Sequence, residues 1–453
     1  MQPLDRRRFL SATSAAFGAL ALANCGSGGS SGASGGGAAG GGTVPGPSPT
    51  PAPIGYGALQ PDAAGLLDLP AGFSYRVLSR VGDTMSDALR VPDNFDGMGC
   101  FALPGGKLAL VRNHELSPGA DGGGALPAGY DATSAGTVLP GGTTTLVLDA
   151  ATLAVERQFR SLTGTIRNCA GGVTPWGTWL TCEEDTTPPG SVQRDHGYVF
   201  EVPAAASGAV SAVPLKAMGR FRHEAAVVDP ASGAVYLTED QGDGLLYRFL
   251  PASPGNLAAG GRLQALAMPA GATTDARNWT SQDFTAGQWH AVRWVDLTDP
   301  ESPADDLRQR GLAQGALRFA RGEGIHMGVG ELYFISTSGG QAQLGQVWRL
   351  SLAAGAERLQ LFYESRDARE FFYGDNVTIA PDGQLLICED QPTSPLDNHV
   401  RGLTRTGQPF TLARLRLQTE LAGACFSPDG KVLFLNAYSP GRTFAITGPW
   451  QHL

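Results

Sequence analysis

Residues able to hold metal ions recur at one spacing in this 453-residue chain. Glu183 and Glu184 end one run, Glu239 and Asp240 a second, and Glu389 and Asp390 a third. Cys169, Glu224 and Asp375 open those runs, 14 or 15 residues upstream. Glu115 closes an earlier run, Glu323 opens another, and Asn436 stands near the end of the last. Carboxylates gathered in one low-dielectric pocket repel and tend to protonate, and bound cations resolve that conflict. Carboxylates and Asn carbonyls suit Ca2+ or Mg2+, while a thiolate among them calls for a transition metal. Seven scattered histidines, without an HExxH motif, argue against zinc. Arg321, two residues before Glu323, is either a salt-bridge partner of these acids or a forked donor to an oxyanion such as phosphate. His223, beside Glu224, either relays a proton or packs.

Hairpins place these groups. Each run is a short apolar strand, a Gly-containing turn and a second strand ending in polar residues, as in Asp375 to Asp390 around Pro381-Asp382-Gly383. Cys100–Glu115, Cys169–Asp185, Glu224–Asp240, Glu323–Ser338 and Cys425–Ser439 have the same form. The two ends of a hairpin lie side by side, so the opening and closing polar residues emerge at one face. Third strands are expected from Gly197, Leu245, Gln346 and Gly402, and fourth strands from Pro214, Leu359 and Phe410. Six such units predict an all-β, six-bladed propeller with these groups converging on one axial mouth. The last unit lacks a fourth strand, and Phe73–Gly82 is the orphan expected to complete it beside Arg442–Thr447. Leu116–Thr143 reads as a loop, and an insertion at about 251–320 as a lid, with a strand at Trp289–Leu297 and a helix within Pro303–Leu317.

Composition agrees: 63 glycines and only 17% charged residues suit many short strands rather than a helical bundle. A net charge of −9, with no basic block after residue 8, excludes nucleic acid as a partner. No segment has about 18 uninterrupted apolar residues, so no transmembrane helix is expected. Residues 1–23 read as a twin-arginine export signal, with Arg6-Arg7-Arg8 before an apolar run. Residues 24–53 are a Gly/Ser/Pro-rich linker, and 54–453 a single propeller domain. Two processing readings stand: cleavage after Ala23, giving a periplasmic or secreted protein, or lipid anchoring through Cys25. Five cysteines follow Cys25; an odd number leaves at least one free thiol. Cys100, Cys182, Cys388 and Cys425 abut apolar strands and read as core, while Cys169, beside Gly171 and Gly172, reads as the metal thiolate.

Together the export signal and the segments R-N-C-A-G-G-x-T-P-W-G-T-W-L-T-C-E-E, G-R-F-x-H-E, R-G-E-G, D-N-V-x-x-x-P-D-G-x-L-x-x-C-E-D and A-I-T-G-P-W resemble the PhoX-type alkaline phosphatases, from Leu69 to Trp450. The resemblance implies a propeller hydrolysing phosphate monoesters at a cluster of Fe3+ and Ca2+. It implies that Cys169 bridges the irons, Arg321 contacts phosphate and Glu323 lies on the metals, with Glu184, Glu224, Asp375, Glu389 and Asp390 matching acidic motif positions. Asn436 is assigned to substrate, although Ala437-Tyr438 follows it where a Gln-His type sequence is expected. The chain is read as an exported monomer whose partners are phosphate esters and the twin-arginine translocation machinery. The alternatives are a calcium-dependent propeller lactonase or esterase, and a non-catalytic binding propeller.

Overall fold

The computed structural model describes residues 54–353 and 355–451. The export signal, the linker and Cys25 lie outside the described residues. The rest is a ring of six antiparallel sheets. The first blade is Phe95–Leu103, Lys107–His114, Gly141–Asp149 and Val155–Thr165. The second is Asn168–Val173, Thr178–Glu183 and Val199–Pro203. The third runs His223–Val228, Val235–Glu239, Gly244–Pro251, Gly261–Ala267 and Arg293–Leu297. The fourth is Gly322–Met327, Glu331–Ser336, Gln346–Ser351 and Arg358–Glu364, edged by Trp289–Ala291. Gly374–Ile379, Leu385–Glu389, His399–Leu403 and Pro409–Leu415 form the fifth, extended by Leu67–Pro70 and Leu59–Gln60. Leu421–Phe426, Val432–Ala437 and Arg442–Thr447 form the sixth, which Ser74–Arg80 completes.

The first-listed strand of each blade is innermost, and each touches its neighbours on both sides around the axis. Strand alternation explains the core. Leu108 and Leu110 pack against Val432 and Phe434 of the sixth blade, while Ala109 and Val111 pack with Trp179 and Phe200 of the second. The same division fills every seam between blades, so both faces of each sheet are buried and the strands read as nearly continuous apolar runs. The hairpin turns rest on glycines such as Gly383, whose φ of +84° is costly for other residues.

Four sequence expectations need correction. Pro214 makes a single bridge to Phe200 and leads into a 3-10 turn at Lys216–Met218, so the second blade has three full strands. The third strand of the fifth blade lies at His399–Leu403, upstream of the expectation, because residues 404–407 form the next turn. The segment Trp289–Leu297 is two strands: Trp289–Ala291 pairs with the fourth blade and Arg293–Leu297 with the third. The helix Leu307–Ala313 falls within the expected span, but where a lid was expected it seats Gly311 against Leu245 and Ala265 of the third blade. The insertion therefore builds the outer part of the third blade and ties it to the fourth. No helix among the described residues is long and apolar enough to cross a membrane.

Ser74–Arg80 is the element that removes the open edge, pairing along its length with Arg442–Thr447 and setting Tyr75 edge-on against Phe444. A chain shortened to begin at residue 82 exposes the strand Arg442–Thr447. It should lose several kcal/mol of stability and self-associate; light scattering and thermal melting check this, and a monomer melting like the full chain would refute it.

Candidate metal centre

Every innermost strand carries a one-residue bulge near its start. Pairing skips from Phe95 to Met98, from Asn168 to Gly171, from His223 to Ala226, from Gly322 to Ile325 and from Gly374 to Val377. The sixth blade skips from Ala422 to Cys425. A bulge re-aims side chains where strands crowd together. Its first residue is Asp96, Cys169, Glu224, Glu323, Asp375 and Gly423 in turn, so five blades bring a metal-binding group to the axis. Its second is small in five of the six blades: Gly97, Ala170, Ala225, Gly324 and Ala424, with Asn376 in the fifth. Gly97 shows why, since a Cβ there would lie 2.5 Å from the Ala170 Cα.

A second layer sits above this ring. The residue after each second strand donates its amide to the carbonyl of the residue preceding the innermost strand: Glu115 to Asn94, Glu184 to Arg167, Asp240 to Arg222, Thr337 to Arg321, Asp390 to Tyr373 and Tyr438 to Glu420. Consecutive residues point to opposite sides, and this separates the paired acids. Glu183 accepts from the amides of Ile166, Gly197 and Tyr198 and bonds the His196 ring at 2.7 Å. Glu239 accepts from the Leu245 amide and the Tyr247 hydroxyl, with Arg308 at 3.4 Å. Glu389 accepts from the Phe372 amide, Gln391 and Arg401, and bonds His399. These three glutamates, read as metal ligands from their spacing, are instead brackets that hold the third strand or the loop beside it.

Two buried groups remain with ligand atoms inside 4.8 Å: Glu115, Cys169 and Glu184, and Glu224, Glu323 and Asp375. The Cys169 Sγ lies 3.1 Å from the nearer oxygen of Glu224 and 3.5 Å from Asp96, which links the two groups. Burial, reinforced by Asp96, Glu224, Glu115 and Glu184, pushes the Cys169 thiol well above its ordinary pKa. A thiolate there requires a nearby cation. Arg167 bonds Glu115 and Glu184, the latter at 2.7 Å. Arg321 meets Asp240 side-on at 2.8 and 3.0 Å and Glu323 at 3.0 Å. Two guanidiniums against seven carboxylates and a thiol leave an excess of donors, and this set fits cations with both oxygen and sulfur ligands.

The other candidates fall as follows. Asp390 is half-buried, its amide bonded to the Tyr373 carbonyl in the same layer, and it belongs to neither group. Asn436 is fully buried; its amide donates to the Asp96 carbonyl at 2.7 Å and its oxygen accepts from Thr443, so it holds the sixth blade to the first rather than facing substrate. His223 is buried against Phe221, ring centroids 3.6 Å apart, and burial lowers its pKa to about 3. Its ring packs there, with Nε2 3.0 Å from the Gly219 carbonyl. All five described cysteines are free. Sequence reasoning missed Asp96, Arg167 and Tyr438, whose hydroxyl donates to Glu115 at 2.6 Å. An acid or thiol followed at once by Gly or Ala, as in Asp96-Gly97, Cys169-Ala170, Glu224-Ala225 and Glu323-Gly324, is a signal that finds the bulge in four blades.

Fold and donors define a metal-binding propeller. The family of alkaline phosphatase PhoX matches residues 54–441, and the chain belongs to that family. It is a metal-dependent alkaline phosphatase, a phosphoric monoester hydrolase. Among solved structures it is similar to Pseudomonas fluorescens PhoX in complex with vanadate, a transition state analogue. The two share 18% identity and a TM-score of 0.66 over 85% of this chain and 96% of that one. A gluconolactonase from Xanthomonas campestris, at 14% identity, gives a TM-score of 0.42 over 87% and 98%. No curated protein matches significantly by sequence.

Adjacent glutamates test the division of labour. Glu183→Ala should cost about 3–5 kcal/mol, the range for leaving buried charged partners uncompensated. Glu184→Ala should change metal-free stability by less than about 1–2 kcal/mol while lowering metal content. Denaturant unfolding and metal analysis of both variants check this; the reverse pattern would overturn the assignment.

Proposed function

We propose that Cys169 and the carboxylates around it hold Fe3+, with Ca2+ among the oxygen-only ligands, and that this centre hydrolyses phosphate monoesters. Asp96, Glu115, Glu184, Glu224, Glu323 and Asp375 are the oxygen donors. The observation that carries the reading is the Cys169 thiol 3.1 Å from Glu224 and 3.5 Å from Asp96 inside a ring of buried acids. That donor set suits a transition metal and a hard cation side by side, and a lactonase using calcium alone needs no sulfur. Bound there, such ions supply Lewis-acid neutralisation of the phosphoryl oxygens and activation of water. The solved relative was captured with vanadate, a transition state analogue, which supports this reading.

Arg321 supplies the fixed charge. Asp240 grips its Nε and Nη2 side-on, so the guanidinium plane is set before substrate arrives. Its backbone is held in the left-handed region at φ +56°, with its amide bonded to the Gln241 carbonyl at 2.8 Å. It orients the ester and stabilises charge on the equatorial oxygens as the bond to the leaving group breaks. Export through the twin-arginine machinery as a monomer, to the periplasm or beyond, completes the reading; residues 6–25 carry that part.

Two substitutions test the centre. Cys169→Ser should lose bound iron and most activity while the propeller still melts cooperatively; retained iron would move the thiolate elsewhere. Arg321→Ala should keep metal content near wild type and lower kcat/KM for an aryl phosphate by about ten- to a thousandfold. Full metallation with unchanged kinetics would remove Arg321 from the site.

A further inference from the structure

Six residues stand at equivalent places in the mouth, each immediately before an innermost strand: Asn94, Arg167, Arg222, Arg321, Tyr373 and Glu420. Three consecutive blades, the second to the fourth, therefore present arginine. Two of the three are committed, Arg167 to Glu115 and Glu184, and Arg321 to Asp240 and Glu323. Arg222 differs. It is exposed, and among the described residues no carboxylate lies within 4 Å of its guanidinium. Its contact is the Gln241 side chain, whose carbonyl, with the amide turned to suit, accepts from Nε at 3.0 Å and Nη1 at 3.2 Å. The backbone carbonyl of the same Gln241 accepts the Arg321 amide at 2.8 Å. One residue thus couples the arginine assigned to the reacting phosphoryl group to a second, solvent-facing arginine. The nearby rim acids Asp243 and Asp305 are taken up by Arg308, at 3.2 and 3.7 Å.

We propose that Arg222 is a specificity-determining residue that selects phosphomonoesters whose leaving group carries a second phosphate, such as sugar bisphosphates. The inference rests on the phosphatase reading. With one phosphate on Arg321, the remainder of the ester emerges toward solvent, where Arg222 is the next guanidinium along the mouth. A forked, permanently charged donor matches a phosphate dianion better than a neutral leaving group, and gives no comparable contact to an aryl or simple sugar ester. Being exposed, the contact is screened by salt.

The test compares kcat/KM for fructose 1,6-bisphosphate and fructose 6-phosphate, using the full-length, metal-loaded enzyme and Arg222→Gln. The wild type should favour the bisphosphate. The substitution should lower the ratio of the two values by about tenfold, the size of one charged hydrogen-bonded contact partly screened by solvent. Raising ionic strength should erode the wild-type ratio in the same direction, and Arg222→Lys should restore part of it. A ratio indifferent to both Arg222→Gln and salt would overturn the proposal. If the wild type turned over neither sugar ester nor an aryl phosphate, the phosphatase reading would fall first and this inference with it.

Discussion

A one-residue bulge, repeated at one level in six strands, is the constraint on which the mouth depends. Six regular innermost strands meeting at an axis would alternate their side chains between the two neighbouring seams. None would then face the centre squarely. The bulge breaks that alternation once per blade and directs Asp96, Cys169, Glu224, Glu323 and Asp375 inward. It also demands little side-chain volume at the next position, which Gly97 and Gly324 satisfy because neighbouring backbones pass within contact of where a Cβ would stand. Gly423, at φ +64°, is the one position of the ring without a ligand. Its amide donates to the Asn376 side chain and its missing Cβ leaves space for the Asp96 carbonyl.

Alternation then does a second job one residue further out. Where two acids are adjacent, one is drawn into hydrogen bonds with its own blade and the next is left for the mouth. Glu183 collects three amides and a histidine, and Glu389 an arginine, a histidine, an amide and a glutamine. Their charges are balanced locally, so they stiffen the wall without entering the pool of charge at the axis. The inward acids share one buried pocket with Arg167 and Arg321, and that shared burial favours cations among them.

The fold was legible because its signals are local: Pro-Asp-Gly turns, apolar runs of five or six residues and polar strand ends at constant spacing. Ring closure was legible from a missing strand at one end and a spare one at the other. Which acid of a pair faces the axis was not, because a bulge shifts register by one residue and inverts every assignment beyond it. Asp96 was hidden for a related reason. The first hairpin announces itself from Cys100, yet pairing begins upstream at Phe95. Asn436 carried a polar side chain at the right height, but its bonds to the Asp96 carbonyl and to Thr443 come from packing between the sixth and first blades. The split of Trp289–Leu297 between two blades was beyond periodicity altogether, since both halves alternate like one strand.

Closure by Ser74–Arg80 joins the two ends of the ring. Residue 79 pairs with residue 443, which shuts the longest loop among the described strand pairs. The proposed ligands come from five blades and both sides of that seam: Asp96 and Glu115 follow the closing strand, while Asp375 precedes its partner by a whole blade and a half. The sixth blade supplies none of them; it spans the gap between the first blade and the fifth. On the proposed donor set, ions bound between the first blade and the fifth would, by mass action, hold the circle shut.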